Sequence, residues 1–191
     1  MKHISLTENK EQLMGYEGVI AKYYFETLGV MVPESFAFVK RSRQPPRDAF
    51  NSMLSFGYTL LMYEMYTAII NQGLHPYFGF LHALKNHHPA LASDLIEEWR
   101  SVIIDSMVMS LVHHHEISAE LFHEDEETGG VYLKREGRNI FLRAYEKKMR
   151  TVNKYLSGEK SYRYSLRQQA ALYSEALMAE KVDIYEPIML K

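Results

Sequence analysis

Glu17, His82, Asp94 and Glu97 are the residues whose types and spacing could do chemistry together. Glu17 stands in Leu13-Met14-Gly15-Tyr16-Glu17-Gly18, and at helical spacing Leu13, Glu17, Ile20, Tyr24 and Leu28 share one stripe, which sets a carboxylate among apolar side chains. A carboxylate buried there shifts its pKa or takes a cation or hydrogen-bond donor as partner. His82 closes the Gly/Pro-broken aromatic segment Gly73 to His82. Asp94 and Glu97 are three apart and share a helix face, about one turn from each other. Because Leu91, Leu95, Ile96, Trp99, Val102 and Ile103 leave little of that helix for water, at least one of Asp94, Glu97 and Glu98 has to approach the interior. One imidazole with two or three carboxylates is a mostly oxygen ligand set with open positions. It suits Mg²⁺ or Mn²⁺ better than a closed structural zinc site. On the residues alone, the alternative is that the acids pair with Arg or Lys from other helices, which is how Glu64, in an apolar run, is read.

These residues need helices to position them. Thr7 with Glu8 starts a first helix that Gly29 and Pro33 end. Lys40-Arg41-Ser42-Arg43-Gln44-Pro45-Pro46-Arg47-Asp48 is a Pro-stiffened basic loop that precludes a helix until about Asp48. Ala49 to Asn71 is apolar nearly all round (Met53, Leu54, Leu60, Leu61, Met65, Ile69) and reads as the central buried helix, with Gly57 as a close-approach point and Gly73 as the stop. A third helix runs from Ala90 to Val112. The following His113-His114-His115 is a helix end, since consecutive helical residues point about 100° apart and do not chelate one ion together.

Glu116 to Glu127 carries six acids and reads as an exposed loop ending at Gly129-Gly130, after which Val131-Tyr132-Leu133 forms a short extended piece. Arg138 to Tyr155 reads as an amphipathic helix with Ile140, Leu142, Tyr145, Met149 and Val152 inward and Arg143, Lys147, Lys148 and Arg150 outward. A last helix spans Ser161 to Lys181 with Leu166, Ala170, Tyr173 and Leu177 inward. The fold class is all-α, in a single helical domain.

At 191 residues without Cys, the chain excludes disulfide frameworks, Cys-based zinc sites and thiol nucleophiles. No apolar run approaches the ~18–20 residues needed to span a bilayer, and the first residues have no signal-like apolar core, so a soluble cytoplasmic protein without a membrane partner is expected. From Lys134 to Arg167 eleven Lys/Arg stand against three Glu, a local balance of +8 that leaves −10 for the rest of a chain whose net charge is −2. A nearly neutral protein can thus carry a polyanion site on one face.

The strings LMGYEGVIAKYYF, RSRQPPRDAFNSMLSFGYTLL, GLHPYFGFLH, SDLIEEWR, GGVYLKREGRNIF and YRYSLRQQAALYSEAL resemble successive signature blocks of the CRISPR-associated spacer integrases, the "Cas one" endonucleases of the adaptation complex. They occur in the family's order and run from Leu13 to Leu177. In the family, the Glu of the Gly-x-Glu-Gly block, the His closing Gly-Phe-x-His and the acid three after the Asp of the next helix bind a divalent metal, Mg²⁺ or Mn²⁺. The resemblance therefore implies Glu17, His82 and Glu97 as catalytic and metal-binding residues, with Asp94 as a further acidic member of the metal site. It implies a helical catalytic domain over residues 13–191 preceded by a linker remnant, 1–12, with the family's β-rich N-terminal domain absent. His75 stands where many relatives carry Asp.

The activity implied is phosphodiester transesterification, in which the 3′-hydroxyl of a foreign DNA fragment attacks a phosphate at the edge of a CRISPR repeat. Water takes its place in the endonuclease reaction. Lys40, Arg41, Arg43 and Arg47 are candidates for the backbone of the incoming DNA, and the implied protein partners are a second copy of the chain and the small adaptation protein "Cas two". The alternatives are a DNA-binding helical domain without catalysis and a structural interaction protein whose acids pair with buried arginines.

Overall fold

Helix α2 (Ala49–Asn71) forms where expected, residue for residue, and runs through the middle of the core. Asp48 caps it by accepting a hydrogen bond from the Asn51 amide at 2.7 Å. Phe50, Met53, Leu54, Leu61, Met65 and Ile69 are fully buried, each stabilising the fold by about 1.5–3 kcal/mol. The computed structural model describes residues 9–36, 38–82, 88–155 and 158–187.

Around α2 pack α3 (Ala90–Trp99), a π-helical stretch Arg100–Asp105 continuing it, and α6 (Tyr162–Ala179). Gly57 is where α2 meets the π-helical stretch: a Cβ there would stand 2.5 Å from Ile104 Cγ2. With α4 (Ser106–His113), these segments cover the expected third helix, wound differently in its middle. His113 does lie at its C-terminal end, where its Nδ1 is 2.8 Å from the Met109 carbonyl.

Two antiparallel hairpins correct the all-α expectation, though the domain remains helix-rich. Strands β1 (Phe122–Glu124) and β2 (Val131–Leu133) pair in the register Phe122↔Leu133, so the acidic segment is a strand and turn rather than a loop throughout. The helix expected to reach Tyr155 is α5 (Arg135–Arg150), which ends as the backbone turns extended at Thr151. Strands β3 (Val152–Tyr155) and β4 (Gly158–Ser161) follow. β-Branched Thr151 and Val152 favour the extended backbone that stops the helix. The inward stripe of α5 is Gly137, Phe141, Tyr145 and Met149, a spacing of four, whereas Leu142 and Val152 are exposed.

Helix α1 (Lys10–Met31), capped by Asn9, departs most from expectation. Its stripe is not buried: Leu13, Ile20 and Tyr24 are 36%, 55% and 38% exposed, and only Leu28 is buried. Periodicity identified residues that share a face, but the body covers that face only at the Phe25 and Leu28 turns. Residues 10–12 are helical, within the helix expected from Thr7, a start that lies outside the described residues. Among the described residues no helix is long and apolar enough to cross a membrane.

Candidate functional site

Asp94 is the most deeply placed of the four expected site residues, and it organises the loop that carries His82. Its Oδ2 accepts the Phe80 and Leu81 amides at 2.6 and 2.9 Å, while Oδ1 accepts the His82 amide at 2.9 Å and lies 2.5 Å from His82 Nδ1. Three successive N–H groups wrap the carboxylate, and Gly79 permits the close approach, since a Cβ there would be 2.5 Å from Oδ2. A carboxylate has about four lone-pair positions, and these four bonds take them all. Both oxygens of Asp94 are thereby engaged with the loop that carries His82. A carboxylate only accepts, so Nδ1 of His82 is the donor of this pair.

Glu17 and Glu97 line one cleft of about 280 Å³, together with Tyr24, Arg43, Tyr58, Arg100, Ser101 and Asp105. Helix α1 carries Glu17 and Tyr24, α3 carries Glu97, and the π-helical stretch supplies Arg100, Ser101 and Asp105. Glu17 is half-buried, so the cost that a fully buried stripe would impose on it does not arise. Glu97 is different. Burial pushes its carboxyl above the ordinary range, Arg100 pulls it back, Glu17 pushes it up again, and His82 and Arg43 pull it down. Glu97 Oε1 lies 2.5 Å from Arg100 Nη1, an ion pair by distance, yet it has no aligned hydrogen-bond donor in its buried position.

Within the cleft lining, Asp105 accepts hydrogen bonds from the Tyr24 and Tyr58 hydroxyls at 2.6 and 2.5 Å. Burial raises the Asp105 carboxyl, and the two tyrosine bonds only partly offset this. Burial and the Asp105 carboxylate in turn push both phenols upward. Asp105 and Arg100 were not recognised as site residues in the sequence. The signals were there: an acid after Val102-Ile103-Ile104, and an Arg one helical turn beyond Glu97.

Among the described residues, no three His, Asp or Glu side chains stand close enough together to hold one ion. The chain thus brings Glu17 and Glu97 to one cleft and ties His82 to Asp94. What favours a cation there is the donor chemistry, namely two carboxylates in one cleft and a buried carboxylate oxygen without a hydrogen bond.

The expected DNA-binding residues divide. Lys40 and Arg43 are exposed, and Arg43 borders both the Glu17–Glu97 cleft and a second cleft of about 540 Å³ shared with Arg138. Arg41 instead turns inward: it donates to Asn51 Oδ1 at 2.8 Å, to Ser55 Oγ at 3.0 Å and to the Ser42 carbonyl, and its guanidinium lies over the Phe25 and Tyr58 rings. Burial lowers its pKa to about 10. Arg47 donates to the Thr128 and Gly129 carbonyls at the β1–β2 turn. Glu64 pairs with Arg163 at 2.7 Å, which also binds Glu146, so the structural reading of Glu64 holds.

The family model described as CRISPR associated protein Cas1 matches residues 1–147. The chain belongs to the Cas1 family. It is 40% identical over 186 residues to CRISPR-associated endonuclease Cas1 3 of Thermus thermophilus, covering 96% of this chain and 55% of that protein. Among solved structures, a casposase bound to an integration product is similar with a TM-score of 0.86 and 26% identity, over 96% of this chain and 52% of that one. The Cas6-RT-Cas1–Cas2 complex matches with the same TM-score and identity, over 96% of this chain and 20% of that one. The chain spans about half the length of the curated Cas1 relatives it matches.

Proposed function

We propose that this Cas1-family chain is the helical catalytic part of a divalent-metal-dependent DNA endonuclease and integrase that inserts foreign DNA fragments into a CRISPR array. The observation that carries this reading is that Glu17 shares one cleft with Glu97, whose buried Oε1 is paired with Arg100 by distance and has no aligned hydrogen bond. Two carboxylates facing a phosphodiester repel it, and an added positive charge would offset that repulsion beside Arg43 and Arg100. Glu17, Glu97 and Nε2 of His82 would hold that charge as Mg²⁺ or Mn²⁺, and Asp94 keeps the imidazole in the required tautomer. When bound, such an ion stabilises charge on phosphoryl oxygens and lowers the pKa of the attacking hydroxyl or water.

Arg43, at the rim, and Lys40 hold the DNA backbone, while Arg41 braces the loop that presents them. The partners in this reading are a foreign DNA fragment and the CRISPR repeat, a second copy of the chain, and the Cas2 protein, with the reaction in the cytoplasm. The Cas2-containing and integration-product-bound neighbours support it.

The test is disintegration of branched DNA with Mg²⁺ or Mn²⁺. Wild type is expected to release the branch, and Glu17→Ala and Glu97→Ala to abolish release at unchanged fold. Activity that persists in both variants, or that needs no divalent ion, refutes the assignment. A second reading is a DNA-binding domain without catalysis, which the exposed Lys40 and Arg43 also fit. Salt-sensitive DNA binding by a folded chain that releases no branch would select it.

A further inference from the structure

The ion pair between Glu97 and Arg100 has an unusual composition for a structural salt bridge. The side chains are only 29% and 22% exposed, the closest approach is 2.5 Å, and still Glu97 Oε1 and Arg100 Nε are buried without a hydrogen-bond partner. Charge holds the pair together, without the aligned bidentate bonds that make Arg–carboxylate pairs strong. A cation with a fixed geometric demand for carboxylate oxygen competes well against such a partner.

Arg100 also has somewhere to go. Its guanidinium lies over the Tyr58 ring at 5.1 Å, and it acts electrostatically on Asp105. The π-helical winding of Arg100–Asp105 is what makes this possible, since residues five apart come onto one face there, whereas an α-helix would splay them. Asp105 itself is held by Tyr24 and Tyr58 and points into the same cleft. One carboxylate, Glu97, therefore faces both Arg100 and the space beside Glu17, and a second, Asp105, can take over part of the Arg100 charge.

We propose that Arg100 is the resident counter-ion of Glu97 in the cation-free site, and that it competes with the divalent cation for that carboxylate, leaving Glu97 for Asp105 and Tyr58 when the cation binds. This rests on the reading above, in which Glu97 is a cation ligand. Arg100 is thus a positioning residue that keeps the acidic cleft neutralised, and by linkage whatever strengthens the pair weakens the cation.

The test is Mn²⁺ binding to the full chain, followed by electron paramagnetic resonance in the absence of DNA, for wild type and for Arg100→Gln, Arg100→Lys and Glu97→Gln. Arg100→Gln is expected to bind Mn²⁺ more tightly than wild type by about five-fold or more. Arg100→Lys keeps the charge and is expected to restore the wild-type affinity, and Glu97→Gln to lose binding. A merely structural role for Arg100 cannot tighten binding. Equal or weaker binding by Arg100→Gln, with binding still lost in Glu97→Gln, overturns the proposal and leaves the ligand role of Glu97 standing. Binding untouched by Glu97→Gln overturns both. In wild type, saturating Mg²⁺ is expected to shift the Arg100 side-chain N–H resonances in a nuclear magnetic resonance spectrum, and resonances that stay in place overturn the proposal even if Arg100→Gln does not fold.

Discussion

Asp94 and His82 are bound twice, through the His82 amide at 2.9 Å and the imidazole Nδ1 at 2.5 Å, both on Asp94 Oδ1. The same carboxylate that orients the ring also shapes the backbone that carries it, so position and tautomer are set by one buried group.

Replacing Asp94 by Ala leaves three amides without their acceptor in a site from which the Asp94 side chain is fully excluded from water. The expected loss is about 3–5 kcal/mol of stability, the range for removing one partner of a buried charged network. Asp94→Asn keeps the shape but turns an amide group toward donors, so it is expected to fall between the two. Urea denaturation measures both, and a wild-type midpoint for Asp94→Ala would sink the role assigned to Asp94.

Gly57→Ala sets helix propensity against packing. Alanine gains roughly 0.5–1 kcal/mol over glycine within a helix. Its Cβ, however, would stand 2.5 Å from Ile104 Cγ2 and 3.2 Å from Phe141 Cζ, both on fully buried side chains. Overpacking of this kind costs about 1–3 kcal/mol. Net destabilisation is expected, read as a lower thermal midpoint, and a raised midpoint would show that the π-helical stretch yields easily.

Much of this architecture was legible in the residues, for reasons that differ from element to element. Helix α2 could be bounded because Asp48, Gly73 and an all-round apolar run leave one way to fold it. The burial of an acid near Asp94 followed from how little of that helix was free for water. Helix α1 misled because a stripe shows which residues share a face, while coverage depends on neighbours that periodicity does not name. Asp94 has the residue type of a ligand, and the loop amides that gather on its carboxylate have no pattern in the sequence. Arg100 and Asp105 both reach the cleft from a π-helical stretch, a winding that has no pattern in side-chain hydrophobicity.

Asp105 gives a pH signature. Its carboxyl is raised above the ordinary 3.8 by burial, so the native state holds the proton more tightly than the unfolded chain does. Stability contributed by the protonated form is complete below the unfolded value and falls as pH rises through the window between the unfolded and the raised native value. Asp105→Asn removes that titration. Its unfolding free energy is expected to depend less steeply on pH across the window, and an identical slope for variant and wild type would show that Asp105 does not titrate differently on folding.

The basic loop makes the last prediction, because its cations look alike in sequence and differ in place. Lys40 and Arg43 are exposed, so truncating either should leave the thermal midpoint unchanged and weaken DNA binding by removing one phosphate contact. Each such contact contributes a slope of about 0.9 to the dependence of log affinity on log salt. Arg41 is tied to Asn51, Ser55 and the Ser42 carbonyl, and it lies over Phe25 and Tyr58. Arg41→Ala should therefore cost about 2 kcal/mol of stability, the scale of a hydrogen bond to a charged group, and Arg41→Lys should recover little, since an ammonium lacks the planar fork. Fluorescence anisotropy on labelled DNA at several salt concentrations, beside thermal melts of the same variants, separates the two roles. If Arg41→Ala melts like wild type while its salt slope falls by about one, Arg41 is a phosphate contact rather than a brace.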